Sequence, residues 1–172
     1  MTLVNLEIGF FLSLIQLFCA LCVILILLSS KQAIRKWSSR SENRFDDQNS
    51  ELFPISLILP TWNEELIIEA KLEEVLSQDF PKELLEVIII DANSDDSTVR
   101  LAEKWIKSRG ASDLFRIIVE EERSGKSKSI NRAFSEASPE SEILMMSDVD
   151  CRLDSGALRR VSSWFSDAKI GA

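Results

Sequence analysis

Two aspartates, Asp148 and Asp150, are the side chains in this sequence best spaced for metal chemistry. They directly follow the apolar run 143–146, which is short and bounded by polar residues, and therefore predicts a buried β-strand. Side chains two apart in extended backbone leave on the same face, with roughly 6.5 to 7 Å between their Cα atoms. Both carboxylates can then bind one hard divalent cation, directly or through water, and a diphosphate can share that cation. The alternative is that the pair is only the polar end of a strand.

The composition narrows the possible chemistry further. A chain of 172 residues has room for one modest domain and an anchor. Residues 51–172 carry 24 acidic and 15 basic side chains, a net of 15 minus 24, or −9, whereas a nucleic-acid binder would need a basic surface. No histidine is present, which excludes imidazole bases and most zinc sites. A general base or a metal ligand must therefore be a carboxylate.

Four apolar runs, each followed by a helical pattern, predict the scaffold that positions these residues. The strands are predicted at residues 55–59, 85–90, 115–119 and 143–146. The helices are predicted at residues 66–78, 94–109, 125–137 and 154–165, with caps at Asn63 and at Ser94, Asp95 and Asp96, and a stop at Gly110. Strands without polar–apolar alternation are typical of a parallel sheet covered by helices on both faces, so the predicted fold class is α/β. Ligands of such sheets bind at the carboxyl ends of the strands.

The first two strands end in residues that can contact a nucleoside. Trp62 follows the first strand and offers a flat face on which a base can stack. Asp91 ends the second strand, where its carboxylate can accept a hydrogen bond from a base edge or a ribose hydroxyl. The alternative is that both segments only form turns and cap helices.

A third candidate is Gly125-Lys126, at the predicted start of the third helix. Backbone N–H groups, the helix dipole and the ammonium group can together hold a phosphate there. The spacing of a P-loop is absent, because position 120 is Glu rather than Gly. A solvated basic patch is the alternative.

Residues 8–28 predict a transmembrane helix, because 21 almost continuously apolar residues would span about 31 Å as a helix. Only Glu7 is charged before this run, whereas basic residues follow it, namely Lys31, Arg35, Lys36 and Arg40. The positive-inside rule then places the N-terminus outside the cell and the domain in the cytoplasm, anchored to the cell membrane by a single span. The expected organisation is a membrane segment at 1–30, a basic and then polar linker at 31–53, and a domain at 54–172.

Taken in order, these motifs resemble the family 2 glycosyltransferases of the GT-A fold, in particular membrane-anchored members similar to cellulose, hyaluronan and poly-N-acetylglucosamine synthases. The matching segments are Pro60-Thr61-Trp62-Asn63-Glu64 for Pro-x-Tyr-Asn-Glu, residues 90–98 for Val-Asp-Asp-Gly-Ser-x-Asp-x-Thr, Gly125-Lys126 with Asn131 for Gly-Lys-x-x-Ala-Leu-Asn, and Asp148-Val149-Asp150 for D-x-D. Ala92 departs from the pattern, because it replaces the second Asp of the usual pair.

The resemblance implies a nucleotide-sugar donor, with a UDP-sugar as the commonest case, and a growing glycan as the acceptor. It implies nucleotide-binding roles for Pro60, Thr61, Trp62, Glu64, Asp91, Lys126 and Asp148. Trp62 would contact the base, Glu64 and Asp91 the nucleoside, and Lys126 the phosphates. Asp148 would contact the ribose or the metal ion. Asp150 would bind the metal ion, which is Mn²⁺ or Mg²⁺. The chain then corresponds to a donor-binding half of an inverting enzyme, with the catalytic base expected beyond Ala172.

Other functions are compatible with the same motifs. One is a transferase that acts on a lipid phosphate, resembling dolichyl-phosphate sugar synthases, which share the donor motifs. Another is a non-catalytic, membrane-tethered nucleotide-binding module in which the acidic strand ends only cap helices. A nucleotidyltransferase is disfavoured, because its glycine-rich loop after the first strand is missing.

Overall fold

The computed structural model of the chain describes residues 2–42, 51–166 and 170. The chain divides into two compact units, residues 1–46 and 47–172. The first unit contains helix α1 (Thr2–Glu42), and its stretch Leu14–Gln32 is long and apolar enough to cross a membrane. A signal sequence near an N-terminus passes the same test of length and composition. Membrane anchoring through residues 8–28 and a cytoplasmic domain therefore stay predictions.

Helix α1 is longer than the sequence predicted. A span ending at residue 28 and a linker beginning at residue 31 were expected, but the helix continues to Glu42. The physical reason is that residues 31–36 are mostly good helix formers and that no Gly or Pro occurs between Gly9 and Pro54. The rest of the predicted polar tether, residues 43–50, lies outside the described residues.

The second unit is built on a four-stranded sheet in the order β3-β2-β1-β4, with every neighbouring pair parallel. The strands are β1 (Ile55–Thr61), β2 (Leu85–Asp91), β3 (Phe115–Val119) and β4 (Ile143–Met146). The helices are α2 (Ile68–Leu76), α3 (Thr98–Arg109), α4 (Lys126–Ser135) and α5 (Ala157–Trp164), with a short 3₁₀ turn at Lys82–Leu84. The predicted α/β class with a parallel sheet is confirmed.

The two faces of the sheet have separate cores. Leu57, Leu59 and Ile89 point to one face, where they pack with apolar residues of α2, α3 and α5. Ile58 and Ile88 point to the other face, where they pack with Ala133 of α4 and other buried residues. Because side chains alternate along a strand, a strand buried on both faces must be almost wholly apolar, which explains the long apolar runs of the central strands β1 and β2. The edge strands β3 and β4 also carry exposed side chains.

Two predicted helix caps are wrong. Helix α2 begins at Ile68, with Ile67 at its N-cap and no side-chain cap, rather than after Asn63. Asn63 instead has a left-handed backbone (φ 57°), and its amide group exchanges hydrogen bonds of 2.6 and 3.0 Å with Asp95. Ser94 does not cap α3 either, since that helix begins at Thr98. Contacts between the two loops replaced the cap expected at Asn63, whereas Asp96 does lie at the start of α3, where its Oδ1 accepts the Thr98 N–H at 2.8 Å. Gly110 ends α3 in the left-handed conformation, as predicted.

Strand β1 extends three residues beyond its last pair with β4, and this difference in length leaves an opening beside the end of β1. Ile58 pairs with Met146, the last residue of β4. The carbonyl of Ile58 accepts the Ser147 N–H at 3.0 Å. Backbone groups along a strand face the same neighbour at every second residue, so the nitrogen of Pro60 faces this same side, beyond the end of β4. Pro60 was expected to end the strand, but it lies within β1, where its missing N–H leaves no ladder bond unmade. The chain from Ser147 onward therefore leaves the sheet beside the end of β1.

Candidate functional site

A cavity of about 240 Å³ lies at this opening, at the carboxyl edge of the sheet. Seven of the residues selected from the sequence line it, namely Pro60, Thr61, Trp62, Glu64, Lys126, Asp148 and Asp150. Ile90, Ala92, Arg123, Ser129 and Val149 complete the lining. The structure thus brings together residues from three separate stretches of the sequence, as the placement of strand ends predicted.

Of the eight residues to which the resemblance gave a nucleotide- or metal-binding role, Asp91 alone does not line the cavity. Its side chain is fully buried, and its Oδ2 accepts hydrogen bonds from the hydroxyls of Thr61 (3.1 Å) and Ser94 (2.6 Å). Its Oδ1 accepts the Ser94 N–H at 2.8 Å. Asp91 therefore fixes the ends of β1 and β2 to each other in this conformation, and its contact with a nucleoside stays a prediction.

The indole of Trp62 stands at the cavity wall and is 41% exposed. The guanidinium carbon of Arg123 lies 3.5 Å from the centroid of the Trp62 ring, a cation–π contact. One face of the indole is therefore covered by an arginine that the sequence gave no reason to pair with it. A base stacking on that face must displace Arg123.

Helix α4 delivers Lys126 to the cavity from its first turn. Gly125 precedes it with φ +99°, a conformation that other L-residues rarely adopt, and its carbonyl accepts the Ser129 N–H at 3.2 Å. The Ser129 hydroxyl also donates to the buried carboxylate of Glu120 at 2.6 Å, which anchors this turn to the end of β3. The N-terminus of α4 and the ammonium of Lys126 thus share one wall of the cavity.

The Lys126 ammonium donates a hydrogen bond to Oδ1 of Asp148, so the two form an ion pair across the cavity. The Lys126 side chain is 57% exposed and the Asp148 side chain 37%, so water screens the pair and it contributes little stability. This contact neutralises part of the acidic pair, and it joins α4 to the chain that follows β4.

Asp148 and Asp150 fit a divalent cation. One ligand atom each from Asp148, Asp150 and Cys151 lies within 4.8 Å of the other two. Carboxylate oxygens are the donors that Mn²⁺ and Mg²⁺ accept, and a cation there would compete with Lys126 for Asp148. Cys151 is an exposed free thiol, and its proximity to both acids adds a softer donor.

Glu64 completes the acidic side of the cavity. Partial burial raises the pKa of the Glu64 carboxyl, and the negative charges of Asp150, Asp96 and Asp148 raise it further. The neighbouring carboxylates therefore repel the negative charge of Glu64, and a bound cation would relieve this repulsion.

A parallel α/β domain with a polar cavity at the carboxyl edge of its sheet belongs to the broad class that binds ligands at strand ends. The family model for glycosyl transferase family 2 matches residues 56–171. The chain therefore belongs to glycosyl transferase family 2, as the motifs had indicated.

Two curated relatives illustrate the likeness. Glycosyltransferase AglE of Haloferax volcanii is 33% identical over 97 residues, which cover 56% of this chain and 30% of that protein. The poly(ribitol-phosphate) beta-N-acetylglucosaminyltransferase TarS of Staphylococcus aureus is 29% identical over 116 residues, covering 67% of this chain and 19% of that protein. The chain spans less than a third of the length of either relative.

Two solved structures share the fold. The mannosyltransferase PcManGT of Pyrobaculum calidifontis, in complex with GDP-Man and Mn²⁺, has a TM-score of 0.64 and 26% identity, covering 86% of this chain and 44% of that one. Residues 1–349 of S. aureus TarS, in complex with UDP-GlcNAc, have a TM-score of 0.59 and 29% identity, covering 66% of this chain and 31% of that one.

Proposed function

We propose that this chain binds a nucleotide sugar in the cavity at the carboxyl edge of the sheet, as the donor-binding part of a metal-dependent glycosyltransferase. The observation that carries the proposal is the convergence of Trp62, Lys126, Asp148 and Asp150 on one cavity. An aromatic face, a phosphate-seeking ammonium and an acidic pair are what a base, a diphosphate and its cation require. The two solved relatives carry nucleotide sugars, which supports the same class of ligand here.

Each residue has a role in the proposal. Trp62 stacks on the base, and Glu64 contacts the nucleoside. Lys126 leaves Asp148 and binds the phosphates together with the N-terminus of α4. Asp148 and Asp150 hold Mn²⁺ or Mg²⁺, which would offset the negative charge that grows on the departing nucleoside diphosphate. Asp91 contacts the nucleoside once ligand binding releases its carboxylate from the hydroxyls of Thr61 and Ser94.

The finer features of the activity belong to the same proposal. The donor is a UDP-sugar, the acceptor is a growing glycan, and transfer inverts the anomeric centre, as in the synthases that the motifs resemble. Residues 54–172 form the donor-binding domain, and α1 anchors it at the cytoplasmic face of the cell membrane. The long apolar stretch of α1 supports the anchor.

Calorimetric titration tests the proposed binding. UDP and GDP are titrated into the wild-type chain, into Asp150→Ala and into Glu140→Ala, each with Mn²⁺ and with EDTA. Glu140 is an exposed acid outside the cavity lining and serves as the matched control. We expect binding with Mn²⁺ in the wild type and in Glu140→Ala, and the loss of the difference between Mn²⁺ and EDTA in Asp150→Ala. Wild-type protein that binds neither nucleotide with Mn²⁺ would refute the proposal.

A further inference from the structure

Helix α2 contains a lysine whose side chain is buried. The Lys71 side chain is 1% exposed and lies on the core-facing side of α2 with Ile68, Leu72 and Val75. Its ammonium donates to Oε1 of Glu74 at 3.0 Å and to the backbone carbonyl of Cys151. Burying an ammonium is expensive unless it is paired and hydrogen-bonded, so these acceptors are what make the position tolerable. One of them belongs to the residue that directly follows Asp150.

Glu74 binds the same segment as Lys71 does. Its Oε1 also accepts the Leu153 N–H at 2.9 Å. Burial alone would raise the pKa of Glu74, but the Leu153 amide and the Lys71 ammonium outweigh burial and hold the pKa below its ordinary value. The carboxylate is therefore ionised at neutral pH, and it binds Lys71 and the backbone of the 151–153 segment together.

Hydrogen bonds hold the chain on both sides of Asp148 and Asp150. On its N-terminal side, Ser147 donates to the carbonyl of Ile58 in the sheet. On its C-terminal side, the Cys151 N–H donates to the Asp148 carbonyl at 3.2 Å, closing a turn, and the Cys151 carbonyl accepts Lys71. Both carboxylates leave from this turn, so any shift of its C-terminal end changes the distance between them.

We propose that Lys71 and Glu74 form a positioning pair that holds the Asp148–Asp150 turn in the geometry needed for cation binding. This inference rests on the proposed function, since it assigns the pair a role in the metal site. Partners that orient metal ligands typically change affinity by about 10- to 100-fold when removed. Lys71 acts through the backbone rather than on a carboxylate, so we expect the lower end, about 10-fold weaker Mn²⁺ binding.

Four variants of α2 test the positioning role. Lys71→Met removes the donor at similar length, and Glu74→Gln keeps an acceptor for Leu153 but removes the charge. Glu73→Gln is the matched control, because Glu73 neighbours Glu74 on the same helix but pairs with Arg109 of α3 at 2.6 Å. Lys71→Arg keeps a charged donor and should restore binding toward the wild-type level.

The measurements are the dissociation constant for Mn²⁺ from its electron paramagnetic resonance signal and hydrogen exchange over residues 148–153. We expect Lys71→Met and Glu74→Gln to bind Mn²⁺ about 10-fold more weakly and to exchange faster in that segment, while Glu73→Gln matches the wild type. If Lys71→Met does not fold, Glu74→Gln and Lys71→Arg still decide the question. Equal Mn²⁺ binding by the wild type and Glu74→Gln would overturn the positioning role and leave the proposed function standing. A wild-type chain that binds no Mn²⁺, with or without UDP, would instead overturn the metal site itself.

Discussion

Replacing Lys126 by Gln should change the affinities for the cation and for the nucleoside diphosphate in opposite directions. The Lys126 ammonium occupies a carboxylate oxygen of Asp148 that a cation would also use. Without a nucleotide, the lysine therefore competes with the metal. With a nucleotide bound, the same ammonium is proposed to hold the phosphates, so its loss removes a favourable contact.

The structure allows both magnitudes to be worked out. The ion pair is half-exposed on both sides, so it contributes about 0.2 to 1 kcal/mol, and its removal should tighten Mn²⁺ binding by about 1.4- to 5-fold. A hydrogen bond from an ammonium to a phosphate contributes about 1.5 to 3 kcal/mol, so the affinity for UDP should fall by about 10- to 150-fold.

The assay compares the wild type, Lys126→Gln and Lys128→Gln, each titrated with Mn²⁺ alone and then with UDP at saturating Mn²⁺. Lys128 is an exposed lysine two residues further along α4, outside the cavity lining, and it controls for the change in net charge. The reasoning is refuted if Lys126→Gln weakens Mn²⁺ binding, if it leaves UDP binding unchanged, or if Lys128→Gln reproduces both effects.

Three further predictions concern the cavity wall, acid stability and the core. Trp62→Ala should weaken UDP binding by about 1 to 3 kcal/mol, while Trp62→Phe should weaken it less, as measured by calorimetry; equal losses would argue against stacking. Burial raises the pKa of Glu86, but hydrogen bonds from the Ser56 hydroxyl and the Ser138 amide and the Arg116 guanidinium outweigh it and hold that pKa below 4.5. The stability that Glu86 contributes is therefore present above pH 4.5 and lost as the pH falls through its lower folded pKa, so urea unfolding should show a shallower acid loss for Glu86→Gln. Ile89→Ala, in the buried centre of β2, should lower the free energy of unfolding by about 2 to 5 kcal/mol in the same assay, and a loss below 1 kcal/mol would contradict its place in the core.

The scaffold could be predicted because its signals are local. The central strands β1 and β2 are buried on both faces and need long apolar runs, which the sequence shows. The edge strands β3 and β4 are more exposed, yet their predicted bounds agree with the structure at every residue. Gly110 ends α3 because only glycine adopts the left-handed conformation without strain. The edge at which the cavity lies follows from parallel topology, which brings the carboxyl ends of the strands together.

The contacts that shape the site could not be predicted, because they join residues far apart in the chain. Lys71 binds the carbonyl of a residue 80 positions away. The residues around Lys71 in the sequence do not distinguish it from a solvated lysine on a helix. The stacking of Arg123 on Trp62 likewise has no periodic signature. Asn63 has the side chain of a helix cap, yet its amide bonds to Asp95 of the neighbouring loop. In each case the partner comes from a distant part of the chain, and local sequence patterns carry no information about it.

The most direct test of the account is whether Mn²⁺ and UDP bind the cavity cooperatively. Free Mn²⁺ is followed by electron paramagnetic resonance in the wild type and in Asp148→Asn/Asp150→Asn, with and without UDP, after the Mn²⁺–UDP complex has been measured without protein. The account predicts that UDP tightens Mn²⁺ binding by the same factor by which Mn²⁺ tightens UDP binding, and that the double variant loses this coupling. Coupling that survives in the double variant, or a wild type in which UDP and Mn²⁺ bind independently, would contradict a shared site at the acidic pair.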